Sequence, residues 1–311
     1  MPVFKIHHIT KYQYDEPVKE SINEIRIYPY QCPEQETLQQ RLMITGNPVV
    51  HTSPDYWDNV MGTFNLLPSH KELIIESKLV VRTTSSAGFE PNTNAGFSEL
   101  ESELNSQLRL LELSTPEAVE NKGAISEIIS AIYHPDKTIA AVVKESSSYI
   151  YDNFQYTKGI TTVETTIDEI LEHRGGVCQD FAHVLLQILR TMNIPSRYVS
   201  GYICPNKNGM RGEGATHAWI EALIPGYGWA GIDPTNNIWV SDKHIKLAVG
   251  RNFNDCSPIK GTFKGSADQN LSVYVSVGYE DGETFEALND VPSRTARRKV
   301  LSQNEVQPQQ Q

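Results

Sequence analysis

The stretch between Cys178 and Met192 constrains the fold of this chain more than any other. Its apolar residues recur at spacings of three and four, and Asn193 and Pro195 end the pattern, which predicts an amphipathic helix with one buried stripe. The stripe consists of Phe181, Val184, Leu185, Ile188, Leu189 and Met192. Three strand-like segments follow, at 197–203, 217–223 and 229–233. A helix followed by three short strands indicates an α+β domain.

The first hundred residues have a different pattern. Short apolar runs are separated by turn-forming Gly, Asn and Pro residues, which predicts an antiparallel β-sandwich-like domain over residues 1–100. A chain of 311 residues is long enough for two domains. We expect the remainder to divide into a linker or helical connection (101–135), the α+β core (136–265), one or more C-terminal strands (266–291) and a disordered tail (292–311).

Three further elements have local signals. An apolar stripe predicts a helix over 137–151, and Thr166 is suited to cap a short helix after it. Alternating apolar residues between Leu271 and Val277 predict a last strand. The small and polar segment 83–97 is typical of a linker or an exposed loop, and we place the domain boundary in or after it.

The charge and the cysteine content exclude several classes of protein. Lys and Arg number 27 against 38 Asp and Glu, a net charge of −11, whereas proteins that bind nucleic acid or anionic membranes without sequence preference need clustered basic residues. We therefore expect no nucleic-acid partner and no membrane partner. The four cysteines form no CxxC pair, so the sequence indicates neither a disulfide framework nor a Cys-rich zinc site. They are Cys32, Cys178, Cys204 and Cys256.

The sequence shows no pattern of a signal peptide or of a membrane-spanning segment. No apolar run approaches the roughly 18 residues of a membrane span, and the first twenty residues contain no unbroken apolar core of a signal peptide. We therefore expect a soluble, cytoplasmic protein with reduced thiols.

Cys178 is the cysteine whose position indicates chemistry. It follows Gly175, Gly176 and Val177 at the predicted start of the helix, where unpaired backbone N–H groups and the positive end of the helix dipole stabilise a thiolate. The glycines allow a sharp turn and the close approach of a substrate, so Gly176 is a candidate residue of the substrate cleft. The alternative is that Cys178 is only a small apolar residue at a helix start.

His217 and Asp233 are the candidates to complete a triad with this cysteine. A nucleophilic cysteine needs a histidine to accept its proton, and the histidine needs an acceptor on its other ring nitrogen. The two residues lie on predicted strands joined by the turn 225–228, and they share a face only if the connection is odd in length or a bulge intervenes. A three-residue loop over 224–226 would set them directly opposite, whereas regular pairing of Ile220 with Asp233 would exclude the assignment. The alternative is a surface histidine and a strand-end aspartate.

Several other residues are candidates for supporting roles. An acyl-transfer site needs hydrogen-bond donors for the oxyanion, and the Cys178 backbone N–H is one natural donor. Tyr156 and Gln155, in a polar and aromatic segment before the helix, are candidates for the second donor. Trp219, on the same face of its strand as His217, is a further candidate residue of the substrate cleft.

A metal site is the less favoured alternative. His173, Cys178 and His183 are conceivable zinc ligands, but their mixed spacing matches no pattern of metal ligands. We therefore expect no metal and no cofactor. The Gly-rich segment 205–214, just before His217, is a candidate mobile wall of the cleft.

Five ordered motifs resemble those of the transglutaminase-like superfamily, specifically of bacterial transglutaminase-like proteins and cysteine proteases. The motifs are 176–183 (GVCQDFAH), 196–202 (SRYVSGY), 216–219 (THAW), 228–229 (GW) and 233–237 (DPTNN). Segments 6–12 and 21–26 are similar to the β-rich N-terminal domain of the same group. The resemblance implies a papain-like α+β core, in which the cysteine lies on a helix packed against the sheet that carries the histidine and the aspartate.

The resemblance also implies a role for each triad residue. Cys178 would be the nucleophile, His217 the general base and then the general acid, and Asp233 the residue that orients the imidazole. The thiolate would attack a carboxamide or peptide carbonyl and form an acyl-enzyme thioester. Water as the acceptor gives a protease or an amidase, and an amine gives a transglutaminase. The implied partners are a peptide or protein substrate and, for transfer, an amine acceptor; the sequence indicates no oligomeric state.

Two roles without turnover stay open. The fold can serve a non-catalytic peptide-binding or scaffold protein, or an accessory domain of a larger peptide-ligating or peptide-processing system. An intact triad disfavours the scaffold, which would gain if His217 lay too far from Cys178 to share a proton.

Overall fold

The computed structural model describes residues 1–84, 90, 91, 93–104, 107–204, 210–212 and 216–280, and the backbone of 284–287. The strands are β1 (Val3–Ile25), β2 (Gln35–Ile44), β3 (His51–Pro54), β4 (Val60–Leu66), β5 (His70–Thr83), β6 (Gln155–Tyr156), β7 (Gly175–Gly176), β8 (Ser196–Ile203), β9 (Thr216–Ile224), β10 (Gly228–Asp233), β11 (Ile238–Trp239), β12 (His244–Gly250), β13 (Ile259–Lys264), β14 (Gln269–Tyr279) and β15 (Thr284–Ala287). The helices are α1 (Phe97–Leu104), α2 (Leu108–Ser114), α3 (Lys122–Ile132), α4 (Ile139–Asn153), α5 (Ile167–His173), α6 (Cys178–Thr191) and α7 (Phe253–Cys256).

The N-terminal sheet is built around the long strand β1. Its even-numbered residues from Phe4 to Tyr14 are buried, as expected for a strand with one covered face. The first half of β1 pairs with β14 and β5, and the second half pairs with β13 and β4, all antiparallel. Residues of both halves, including Tyr12 and Ile25, share one apolar core with Phe64 and Leu73. The predicted antiparallel, β-rich fold of the N-terminal part is confirmed, and the described strands form one eight-stranded sheet.

The C-terminal strands return to this N-terminal sheet. The predicted strand 271–277 lies within β14, and its register along β1 runs from Phe4 opposite Tyr279 to Tyr14 opposite Gln269. Strand β13, which we assigned to the α+β core from the sequence, also pairs with β1. Local patterns predict a strand but not its partner, because pairing across the whole chain is set by tertiary packing. The predicted tail 292–311 lies outside the described residues.

The second sheet and helix α6 form the core of the remaining part. Five antiparallel strands lie in the order β11-β10-β9-β8-β12, and α6 packs against β9 and β8. The predicted helix is confirmed at Cys178–Thr191, but the predicted exposed face is wrong, because twelve of its fourteen residues are buried. Its polar residues have partners there: Gln187 accepts a hydrogen bond from the Glu117 N–H, and Arg190 donates to the Ser196 carbonyl.

Both flanking helices begin after threonine caps, and one of these caps, Thr166, is predicted from the sequence. Helix α4 starts after Thr138, whose hydroxyl accepts a hydrogen bond from the Ala141 N–H. Helix α5 starts after Thr166, whose hydroxyl accepts a hydrogen bond from the Glu169 N–H. The Glu169 carboxylate accepts one from the Thr166 N–H, so the two residues form a capping box. No helix in the part of the chain described above is long and apolar enough to cross a membrane.

Candidate active site

The start of α6 is fixed by a short parallel strand pair and by one buried carboxylate. Gly176 on β7 pairs with Tyr156 on β6. Asp180 then accepts hydrogen bonds from the Val177 N–H at 2.8 Å and from the Thr161 hydroxyl at 2.7 Å. Asp180 therefore ties the chain before the helix to its first turn and holds Cys178 at the helix N-terminus.

The glycine before this turn is required by packing. A Cβ atom on Gly176 would lie 2.4 Å from Asp180 Oδ2, closer than two such atoms can approach. Gly176 was predicted to line the substrate cleft, but it is buried and the side chain next to it is Asp180. Gly176 therefore allows the close approach of the Asp180 side chain and not that of a substrate.

The register of β9 and β10 brings His217 and Asp233 together. Ile232 pairs with Ile220, so a three-residue connection, 225–227, joins the strands. One step further, the register sets Asp233 opposite Trp219 and diagonal to His217 on the same face. The predicted odd connection is confirmed, but the directly opposite position is wrong because the turn begins one residue later than 224. The two side chains meet at 2.8 Å between His217 Nε2 and Asp233 Oδ2.

Asp233 is held by several donors at the end of β10. Its Oδ1 accepts from the Thr235 N–H at 2.9 Å, and its Oδ2 accepts from Asn236 Nδ2 at 2.8 Å. The Nε2 atom of His244 lies 3.5 Å from the same Oδ2. Burial alone would raise the pKa of Asp233, but the charge and hydrogen bonds of His217 and His244 hold it well below its usual range.

The pKa of His217 moves in the opposite direction. Burial alone would lower it, but the negative charges of Asp233 and Cys178 and the hydrogen bond to Asp233 raise it above its usual range. The two shifts favour an ion pair of imidazolium and carboxylate, and both residues are fully buried, with an exposed fraction of 0%.

The two ring nitrogens of His217 have different neighbours. Nε2 is engaged by Asp233, and among the described residues Nδ1 makes no hydrogen bond. Nδ1 is therefore the nitrogen that remains for the Cys178 thiol, whose charge acts on the ring. The imidazole can therefore exchange a proton with the thiol while Asp233 keeps its orientation.

Part of the predicted cleft wall lies over this imidazole. Gly212 has a φ of +84°, and a Cβ atom there would lie 2.7 Å from His217 Nδ1. Only glycine meets both requirements. Of the predicted wall 205–214, residues 210–212 are described, and 205–209, 213 and 214 lie outside the described residues. Cys178 is buried, with an exposed fraction of 2%.

Tyr156 lies closer to this centre than Gln155. Burial and the charges of Cys178 and Asp233 raise the pKa of the Tyr156 hydroxyl, so this group stays protonated as a hydrogen-bond donor. Gln155 precedes it on β6, points to the opposite face by strand alternation and is exposed. The oxyanion role of either residue stays a prediction.

Trp219 has no exposed surface with which to line a cleft. Its exposed fraction is 0%, and its ring lies 5.2 Å from that of His244 and 6.2 Å from that of His217. Gly201 on β8 makes room for it, since a Cβ atom there would lie 2.5 Å from the indole. Our cleft prediction for Trp219 is corrected: the residue packs beside both histidines inside the core.

Three polar residues around Asp233 were not predicted from the sequence: Asn236, His244 and Arg211. The sequence position of Asn236 could have predicted its contact with Asp233, because it lies three residues later in a turn, where an amide can hydrogen bond back to the carboxylate. No sequence pattern indicates the roles of His244 and Arg211. His244 reaches Asp233 from β12, which is not adjacent to β10 in the sheet, and Arg211 lies in a loop.

The conceivable zinc ligands do not converge. His183 Nε2 accepts a hydrogen bond from the Phe253 N–H at 3.2 Å, and its ring packs on Tyr198 with the centroids 5.2 Å apart. Burial and the positive charge of Arg190 lower the pKa of His183 to about 4. In the described ranges, no three His, Cys, Asp or Glu side chains are placed to hold a metal ion together.

Comparisons with known proteins agree with this architecture. The transglutaminase-like superfamily matches residues 127–234, and the bacterial transglutaminase-like N-terminal region matches residues 4–82. An uncharacterized protein of Mycobacterium leprae is 33% identical over 281 residues, which cover 88% of this chain and 97% of that protein. A protein-glutamine gamma-glutamyltransferase of Pseudomonas aeruginosa is 30% identical over 119 residues, which cover 36% of this chain and 17% of that protein.

A solved structure extends the likeness to the whole fold. A candidate cysteine protease from Cytophaga hutchinsonii superposes with a TM-score of 0.69 at 19% identity, covering 93% of this chain and 94% of that one. The predicted resemblance and the predicted fold class are both confirmed. The chain belongs to the transglutaminase-like superfamily and carries the N-terminal region of its bacterial members.

Proposed function

We propose that this protein is a thiol enzyme that acts on peptide or glutamine-type amides through an acyl-enzyme thioester on Cys178. One observation carries the proposal: a buried imidazole binds Asp233 through Nε2 at 2.8 Å and has Nδ1 left for a thiol at the start of α6. Membership of the transglutaminase-like superfamily is consistent with this chemistry.

The first half of the reaction forms the thioester. The Cys178 thiolate, stabilised by the helix N-terminus and the His217 imidazolium, attacks the carbonyl carbon, and the π electrons move to the oxygen. The Cys178 N–H and the Tyr156 hydroxyl are the proposed donors to that oxyanion. When the intermediate collapses, the C–N bond breaks and the departing nitrogen takes the proton from His217.

The second half depends on the acceptor. Water or an amine gives a proton to His217, attacks the thioester carbonyl and expels the Cys178 thiolate. Asp233 stays ionised throughout and fixes the ring orientation. The core likeness to a protein-glutamine gamma-glutamyltransferase supports transfer, and the fold likeness to a candidate cysteine protease supports hydrolysis.

A product assay tests the proposal and identifies the acceptor. The protein is incubated with a peptide library and a tagged primary amine, and mass spectrometry scores cleaved, deamidated and amine-linked peptides. We expect at least one class with the wild type and none with Cys178→Ala. Cys32→Ala is the matched control, because Cys32 lies outside the site. No product from the folded wild type would contradict the proposal, and peptide binding without product would favour the peptide-binding alternative.

A further inference from the structure

A pocket beside Tyr156 is lined by one cation, the side chain of Arg211. Its volume is about 460 Å³. It is lined by residues 151–156 and by Arg211. Tyr156 pairs with Gly176, two residues before Cys178, and Arg211 precedes Gly212, where a Cβ atom would lie 2.7 Å from His217 Nδ1, so the pocket adjoins the candidate active site. A group bound in the pocket therefore lies close to the carbonyl that the thiol would attack.

Arg211 is fixed at both its backbone and its side chain. Its N–H donates to Asn236 Oδ1 at 2.8 Å, and its carbonyl accepts from Asn236 Nδ2 at 3.1 Å. Its guanidinium stacks on the Tyr151 ring at 4.4 Å from the centroid. Ordering the long side chain in advance removes most of the entropy that binding would otherwise lose.

Helix α4 supports both sides of this arrangement. Lys144 and Ser148, on the same face of the helix as Tyr151, hydrogen bond to Asn237, which follows the residue that holds Arg211. The pocket therefore rests on a helix rather than on loops alone.

One guanidinium nitrogen of Arg211 has no hydrogen-bond partner among the described residues. Nη1 of Arg211 is buried and makes no hydrogen bond within the described ranges. An unsatisfied buried donor is unfavourable, and more so for a charged group, so the free state carries a penalty that an anionic ligand would relieve. The carboxylate in the lining, Asp152, is exposed and forms no ion pair with Arg211.

We propose that Arg211 binds a carboxylate of the substrate, so that the enzyme prefers peptides with a carboxylate next to the amide that Cys178 attacks. The planar guanidinium matches a carboxylate in shape and charge. The carboxylate is that of an acidic side chain or a free C-terminus. This inference rests on the proposed function, because it takes Cys178 as the point of attack.

Binding to the inactive variant tests the inference without turnover. The probes are alanine-based hexapeptides with one central glutamine, flanked on either side by Glu, Gln or Lys, and a shorter peptide that ends in a free carboxylate after the glutamine. With Cys178→Ala, we expect a carboxylate peptide to bind about 10- to 100-fold more tightly than its neutral counterpart by calorimetry. The position that gives the gain distinguishes a side-chain carboxylate from a terminal one.

Substitutions at Arg211 separate recognition from structure. In the Cys178→Ala protein, Arg211→Gln should abolish the preference, and Arg211→Glu should reverse it toward the Lys peptides. Arg109→Gln is the matched control, because Arg109 stacks on Tyr56 at 4.9 Å away from the pocket. Thermal unfolding, and iodoacetamide labelling of the same Arg211 variants with Cys178 intact, check that the site is formed.

Several results would overturn the inference. They are equal affinity for carboxylate and neutral peptides, an unchanged preference in Arg211→Gln, loss of the preference in Arg109→Gln, and no binding of any carboxylate peptide. Failure of the proposed function has a different signature: the wild type gives no cleaved, deamidated or linked peptide while the carboxylate preference in binding persists.

Discussion

Strand β9 carries two buried charge clusters that differ in how completely they are paired. At one end, His217 faces Asp233 and Cys178. Four residues further along the same face, Glu221 is 4% exposed and accepts from Arg197 Nε at 2.7 Å, while Lys246 pairs with its other oxygen. Arg197 also stacks on Trp229 at 4.4 Å.

The two clusters use different kinds of cation. Burial alone would raise the pKa of Glu221, but Lys246 and Arg197 lower it to about 2, so this cluster stays charged at neutral pH and both its oxygens are paired. The other cluster uses a histidine, which titrates, and leaves Nδ1 beside a thiol. A titratable histidine with one unpaired ring nitrogen is suited to proton transfer, whereas the fully paired cluster around Glu221 is suited to holding the sheet together.

Substitution of Asp233 should have the largest effect. Asp233→Asn keeps the shape of the side chain but removes the negative charge that orients His217 and favours its protonated form. We therefore expect kcat/KM to fall by about 10³- to 10⁴-fold. Steady-state kinetics on a substrate from the peptide library measures this. Retention of more than a tenth of the activity would show that Asp233 is not the orienting residue.

Substitution of Glu221 should affect stability instead. Glu221→Gln leaves two partly buried cations, Arg197 and Lys246, without their carboxylate, so the free energy of unfolding should fall by about 3 kcal/mol in urea titrations. The activity per folded molecule should stay within a few-fold of the wild type. A loss of activity as large as that of Asp233→Asn, in protein that is fully folded, would erase the distinction between the two clusters.

The two clusters should also differ in how the free energy of unfolding depends on pH. This effect should be smaller than the effects of the two substitutions. In the Cys178→Ala background, the raised pKa of His217 adds stability that is complete below its ordinary value of 6.5 and is lost as pH rises toward the folded-state value. The lowered pKa of Asp233 adds stability that is lost only as pH falls below its ordinary value of 3.8.

Urea unfolding from about pH 5 to about pH 9 measures this difference. Relative to Asp233→Asn, the stability should decline above pH 6.5 by up to about 1.4 kcal/mol per pH unit. Removing the charge of Glu221 should leave the slope in that range unchanged, because its stabilisation is lost only between pH 4.5 and about 2. If the stability difference between the Cys178→Ala protein and its Asp233→Asn derivative does not change with pH, the ion pair of His217 is excluded.

Much of the site follows from local sequence patterns. The apolar spacing predicts α6 and its start at Cys178, Thr166 predicts the capped α5, and strand alternation predicts that His217 and Asp233 share a face. These signals are local because helix caps, turns and strand faces depend on neighbours within a few residues.

The parts that escaped prediction depend on contacts across the fold. Nothing near β14 in the sequence indicates that it pairs with β1, and nothing near His244 indicates its approach to Asp233. The buried polar face of α6 is a similar case: Arg190 has the sequence character of a surface residue and becomes buried because backbone carbonyls from three segments accept its hydrogen bonds.

The most direct test of the central claim is the rate at which iodoacetamide labels Cys178 at mildly acidic pH, followed by intact-protein mass. An ordinary thiol has too little thiolate there to react quickly. If His217 and the helix N-terminus hold a thiolate, the wild type is labelled once and rapidly, Cys178→Ala is not labelled, and His217→Ala is labelled at least about tenfold more slowly. Equal labelling of the wild type and Cys178→Ala, or an unchanged rate in His217→Ala, would contradict the account.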